Sequence, residues 1–191
     1  KIIDFGIAVA ETSASDRRHL GSVGTPVYMS PELFDNSTSI DTRADIYSLG
    51  VILCELLCDQ RPYPGSLFKA TETSLIRHKL NEQPPASASE LLRRAAGDAE
   101  RIAGQRSTSP GRLARRLAGD LDAIALQCIA SRREDRYASA VELADDVANH
   151  LQRRPVRAMG DGRGYRFGRF VARNAWVVAA TSLIMLALAT G

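Results

Sequence analysis

The sequence predicts a mainly α fold followed by a transmembrane helix, and three observations lead there. From Arg43 to Cys58 the apolar residues Ile46, Leu49, Val51, Ile52, Leu53, Leu56 and Leu57 nearly surround a helix, the pattern of one buried on most sides. Capping-box spacing occurs at Ser87–Glu90 and again at Ser139–Glu142, each time at the head of a helical run. The stretch Ala175 to Gly191 carries no charge, and about 20 apolar residues span a bilayer. The 191 residues hold one ordinary domain and appendages, and 45% hydrophobic with 25% charged content is globular rather than disordered.

Residues 1–34 mix short β-prone pieces with a polar loop, Glu11 to Ser22, read as an exposed mobile segment. The 43–58 helix reads as the central helix of a lobe, and Arg61-Pro62-Tyr63-Pro64-Gly65 stops it. A more polar helix is expected over 67–80, before Pro84-Pro85 breaks the chain. Ser87 then caps an Ala-, Arg- and Leu-rich stretch running to about Ala103, weakly apolar and peripheral. Ser109-Pro110 starts a short helix through Leu117 that Gly119 ends. Leu121, Ile124, Ala125, Cys128 and Ile129 recur at helical spacing. In the last helix of the lobe Val141, Ala144, Val147, Ala148 and Leu151 share one face, Pro155 ends it, and Gly160, Gly162 and Gly164 form a flexible linker.

The formal charge of +3 is unevenly placed. Arg153, Arg154, Arg157, Arg163, Arg166, Arg169 and Arg173 fall in one stretch whose single acid is Asp161. Such a run can bind nucleic acid or an anionic membrane face, and the uncharged run behind it favours the membrane. Arginines on its N-terminal flank place that side in the cytoplasm, and Trp176 with Tyr165, Phe167 and Phe170 suits an interfacial aromatic belt. Cys54 and Cys58 lie one helical turn apart and Cys128 stands alone, with no histidine at metal-ligand spacing, so all three read as buried reduced thiols.

Two segments carry the chemistry: Lys1-Ile2-Ile3-Asp4-Phe5-Gly6 and Gly24-Thr25-Pro26-Val27-Tyr28-Met29-Ser30-Pro31-Glu32. Asp-Phe-Gly alone arises by chance and marks a turn. At this spacing the pair resembles the activation segment of a protein kinase. Gly119-Asp120-Leu121-Asp122-Ala123-Ile124, Arg136-Tyr137-Ala138-Ser139-Ala140 and Arg154-Pro155-Val156 extend the likeness to the end of bacterial Hanks-type serine/threonine kinases. Tyr165-Arg166-Phe167 and Arg173-Asn174, before the apolar run, resemble the juxtamembrane region of the subgroup that often carries tetratricopeptide repeats.

The resemblance implies the helical C-terminal lobe of an α+β parent over residues 1–154, with its activation segment at 4–32. A basic juxtamembrane linker at 155–174 and a truncated transmembrane helix at 175–191 follow. Lys1 is not methionine and lies inside a motif that belongs mid-domain, so the front half is expected upstream. By resemblance Asp4 holds the Mg²⁺ that bridges ATP phosphates, Phe5 sets active against inactive states and Gly6 frees the backbone there. Gly24, Thr25 and Pro26 dock the peptide substrate, with Thr25 favouring serine or threonine acceptors unless it is merely a turn threonine.

Glu32 is expected to pair with Arg136, the alternative being two unrelated surface charges. Asp45 would accept hydrogen bonds from a catalytic-loop backbone, or else serve as an ordinary acid at a helix N-terminus. Thr12, Ser13, Ser15 and Ser22 are candidate phosphorylation sites in what is otherwise a plain polar loop. The glycine-rich loop, the ATP-positioning lysine and the catalytic aspartate of such enzymes have no counterpart here, so the chain alone should be inactive. The expected activity, phosphorylation of protein serine and threonine hydroxyls with ATP and Mg²⁺, belongs to the parent. A membrane-tethered pseudokinase or docking module is the alternative. The expected partners are protein substrates, ATP and a cytoplasmic (inner) membrane crossed once, with a homodimer allowed and nucleic acid excluded.

Overall fold

Arg43–Cys58 folds as the expected long helix, α1, and the rest of the core is arranged around it. The computed structural model describes residues 26–34, 41–69, 73–176, 179–180, 185 and 188. Among them are seven further helices: α2 (Thr73–Glu82), α3 (Ala88–Arg94), α4 (Gly97–Gly104), α5 (Pro110–Leu117), α6 (Asp120–Cys128), α7 (Ala140–Leu151) and α8 (Arg163–Arg173), and no strand. Short 3₁₀ turns at Pro26–Tyr28, Pro31–Phe34, Gly65–Lys69, Arg133–Asp135 and Arg157–Met159 connect them.

Three apolar clusters hold the helices together. Ile46, Tyr47, Val51 and Cys54 of α1 meet Ile124, Ala125 and Cys128 of α6, with Tyr137 and Val156 closing the cluster. Cys58 joins α3, α4 and α5 through Leu92, Ile102, Ala103, Leu113 and Leu117. Tyr63, Leu67, Ile76 and Leu80 form the third, flanked by Phe34 and Phe68. Burial raises the Cys54 and Cys128 thiols to about 12 and the Cys58 thiol to about 11, so all three stay protonated near neutral pH.

Several elements differ from expectation, each for a local reason. α1 is not enclosed among the described residues: Leu49 and Leu56 are 46% and 69% exposed. Of the helix expected over 67–80, Leu67 belongs instead to the 3₁₀ turn Gly65–Lys69, from which it enters the third cluster, and α2 is described from Thr73. The stretch from Ser87 to Ala103 divides into α3 and α4 at Ala96, whose φ of 38° and ψ of −108° leave the helical region. Ser87 accepts the Glu90 amide at 3.3 Å, whereas the Glu90 carboxylate turns to Arg94 instead of completing the box. Ser109 makes no side-chain cap, and Gly119, at φ 100°, serves the turn into α6.

The largest reversal is on α7. The apolar face read from the sequence points outward, with Val141 68% and Leu151 75% exposed, while Asp146 is fully buried. That carboxylate accepts from the Tyr137 hydroxyl at 2.8 Å and from the Arg157 and Ala158 amides at 2.7 and 2.9 Å. Three converging donors offset its desolvation, so an acid occupies a place that apolar periodicity assigns to hydrophobes. Burial first, then the bond to Asp146, raises the Tyr137 pKa and keeps its proton in place. Tyr137→Phe is expected to cost about 1.5 kcal/mol in chemical denaturation, the lower value for a bond to a charged group.

The glycine-containing stretch after α7 is ordered. Tyr165 and Arg169 of α8 reach Asp120 at the start of α6, as described below. Among the described residues no helix is long and apolar enough to cross a membrane, and residues 177–178, 181–184, 186–187 and 189–191 of the apolar run lie outside that set.

Candidate functional site

Pro26–Phe34 lies along α1 and is held at two points. At the first, the Ser48 hydroxyl of α1 donates to the Tyr28 carbonyl at 2.8 Å, and the Tyr28 hydroxyl donates to Glu55 at 2.8 Å. Arg61 donates to the other Glu55 oxygen at 2.5 Å, and its guanidinium lies 5.6 Å from the centre of the Tyr28 ring. Serine and glutamate seven residues apart occupy one helix face, two turns apart, and so grip both ends of one tyrosine. Burial, followed by the bond to Glu55, raises the Tyr28 pKa. An open cavity of about 640 Å³ adjoins this point, lined in part by Ile52, Glu55, Asp59 and Arg61.

At the second point Glu32 receives both ends of the Arg136 fork, at 2.7 and 2.9 Å. The Arg136 side chain is wholly buried, and its other donors reach the carbonyls of Ala130 at 2.8 Å, Arg43 at 3.1 Å and Ser131 at 3.2 Å. All five guanidinium N–H groups therefore have acceptors, the condition under which a buried cation is tolerated. Its plane stands 5.0 Å from the Tyr47 ring centre. Burial by itself raises the Glu32 pKa, but the bonds from Arg136 and the backbone outweigh it and hold the carboxyl below its ordinary value.

Sequence separation gives no hint of these distances: 104 residues part Glu32 from Arg136. Pro26 opens the first 3₁₀ turn. Asp45 is exposed in the first turn of α1, where a negative charge suits the helix dipole, and it makes no hydrogen bond among the described residues. Asp4, Phe5, Gly6, Thr12, Ser13, Ser15, Ser22, Gly24 and Thr25 lie outside the described residues. Ser48, Glu55 and Arg61 were not legible as partners of Tyr28. The available signal was an acid, Glu55, within the apolar C-terminal half of α1, with an arginine six residues later.

What this arrangement can do is fix a loop. Pro26–Tyr28 and Pro31–Phe34 are each tied by charged groups to the central helix or to the segment after α6, leaving the stretch between them little freedom.

A family model described as protein kinase domain matches residues 1–147. The serine/threonine-protein kinase PknB of Mycobacterium tuberculosis is 31% identical over 160 residues, 83% of this chain and 21% of that protein. The serine/threonine-protein kinase Pkn1 of Myxococcus xanthus is 39% identical over 89 residues, 46% of this chain and 12% of that protein. The dual specificity mitogen-activated protein kinase kinase mek-1 of Caenorhabditis elegans is 41% identical over 87 residues, 44% of this chain and 23% of that protein. The chain spans less than a quarter of the length of these curated relatives.

Proposed function

Because the chain belongs to the protein kinase domain family, we propose that it forms the helical C-terminal lobe of a bacterial-type serine/threonine protein kinase. The observation that carries this reading is the Arg136 fork on Glu32, which ties the segment after the proposed docking loop to the core with every donor satisfied. Phosphoryl transfer is mainly positioning and charge neutralisation, so a substrate hydroxyl must be presented by a loop that does not yield. Pro26–Tyr28, gripped by Ser48 and Glu55, supplies that rigidity beside Gly24 and Thr25.

Asp4 offers a hard carboxylate oxygen, the donor type Mg²⁺ accepts when it binds through one or two carboxylates and nucleotide phosphates. When bound, Mg²⁺ with ATP would supply neutralisation of the phosphate charge. We place the glycine-rich loop, the ATP-positioning lysine and the catalytic aspartate in sequence outside these 191 residues, and the reaction in the full-length protein. The uncharged run 175–191 behind the basic stretch supports a single-pass membrane anchor with the lobe on the cytoplasmic side.

The test is Mg²⁺-dependent transfer of labelled phosphate to protein serine or threonine by the solubilised full-length protein. Transfer is expected, and Asp4→Ala should reduce it to background. A folded full-length protein that transfers nothing would overturn the enzymatic reading and favour a membrane-tethered docking module.

A further inference from the structure

The stretch from Gly162 to Trp176 turns two different faces to its surroundings. Tyr165 and Arg169, one turn apart on α8, face the lobe. The Tyr165 hydroxyl donates to Asp120 at 2.9 Å and accepts the Val156 amide at 3.0 Å, while Arg169 pairs with the other Asp120 oxygen. Asp120 is 3% exposed and also meets His150 Nδ1 at 3.0 Å. Burial raises the Asp120 pKa, but Arg169, His150 and Tyr165 together hold it below its ordinary value, so the anchor for α8 is a charged carboxylate. Arg169 also stacks on Tyr165, 5.5 Å from the ring centre.

With that face fixed, helical spacing sends Arg163, Phe167 and Phe170 to the opposite side and Arg166 to the flank between the two faces. Phe167 is 68% and Phe170 50% exposed, and among the described residues the Arg166 side chain meets only the exposed Asp161, at 3.2 Å. Asn174, at φ −112° and ψ 35°, interrupts the helix at the point where the uncharged run begins. Two exposed phenylalanines flanked by arginines fit a surface that is apolar beneath and anionic above. Phosphates of a nucleic acid would answer the arginines and leave the phenylalanines in water.

We infer that α8 is an interfacial helix: its outer face lies on anionic phospholipid through Phe167, Phe170, Arg163 and Arg166. Asp120 clasps its inner face, so the lobe is held in one orientation to the bilayer. This rests on the membrane-anchor reading above. It adds a second, electrostatic contact and makes Asp120, Tyr165 and Arg169 the joint between membrane and lobe.

The sequence contains one tryptophan, so Trp176→Phe with Phe170→Trp leaves position 170 as the sole reporter. The whole chain carrying both changes is mixed with phosphatidylcholine vesicles, with or without phosphatidylglycerol, and floated through a density gradient. On phosphatidylglycerol-containing vesicles the reporter should shift to the blue and lose accessibility to acrylamide. Adding Arg163→Gln and Arg166→Gln should abolish both changes while the chain still floats. A floating chain whose position 170 stays equally open to acrylamide on both vesicles overturns the inference and leaves the anchor standing. A chain that floats with neither overturns both, and one that binds duplex DNA in a salt-dependent way with its reporter unmoved by vesicles overturns the inference.

Discussion

Arg136→Leu is expected to destabilise the chain by roughly 3–5 kcal/mol, because it strands Glu32 and three carbonyls that now share one buried guanidinium. The Glu32→Gln change, which keeps the shape and removes the charge, should cost less. The double variant Glu32→Gln with Arg136→Leu should recover part of the loss, since the single variant's penalty is mostly the abandoned partner. Urea denaturation of the four proteins measures the cycle; a loss under about 1 kcal/mol for Arg136→Leu would mean that the pair behaves like an exposed one.

The same pair sets a pH dependence. Glu32 has its folded pKa below its ordinary value of 4.5. A depressed folded pKa stabilises above the unfolded value, so the pair's contribution is complete above about pH 4.5 and lost as pH falls through the lower folded value. In Arg136→Leu the guanidinium no longer opposes burial, so the Glu32 pKa rises from its depressed value in the parent and the pair's contribution above pH 4.5 is lost. The stability gap between the two proteins should therefore narrow below pH 4.5. On the proposed kinase reading, loss of Arg136 in the full-length protein should also weaken phosphate transfer to peptide substrate, because the segment after the proposed docking loop loses its second point of attachment.

Gly50→Ala should destabilise by about 2 kcal/mol although alanine is the better helix former. A Cβ at position 50 would press on the Cys128 Cβ and lie 2.7 Å from Ile129 Cγ2. Those atoms belong to the last residue of α6 and the residue that caps it, so relief requires one helix to move off another. Overpacking of that kind costs up to about 3 kcal/mol, against a gain near 1 kcal/mol from helix propensity. A thermal melt decides the sign: a variant more stable than the parent would show that α1 and α6 separate without penalty.

Legibility in the sequence followed the range of the interactions. α1, α5 and the heads of α3 and α7 were placed because caps, proline and apolar spacing act within a few residues. The face of α7 was misread, since apolar spacing cannot register a carboxylate that three distant donors make welcome in the core. Asp120 and Asp122 stood out only as part of a motif. The structure gives them separate tasks, with Asp120 holding α8 and Asp122 accepting from the Ser89 amide and hydroxyl at the head of α3.

The sequence by itself determined most of the helical segments between Arg43 and Leu151, the family likeness at 1–6 and 24–32, and the asymmetric charge of the C-terminal stretch. These are properties of local pattern and composition. Only the tertiary structure decided that Tyr28 is gripped by Ser48 and Glu55, that Arg136 finds five acceptors, and that the basic stretch docks through Tyr165 and Arg169. The physical reason is desolvation: a polar group enters the interior only where partners from remote parts of the chain converge on it.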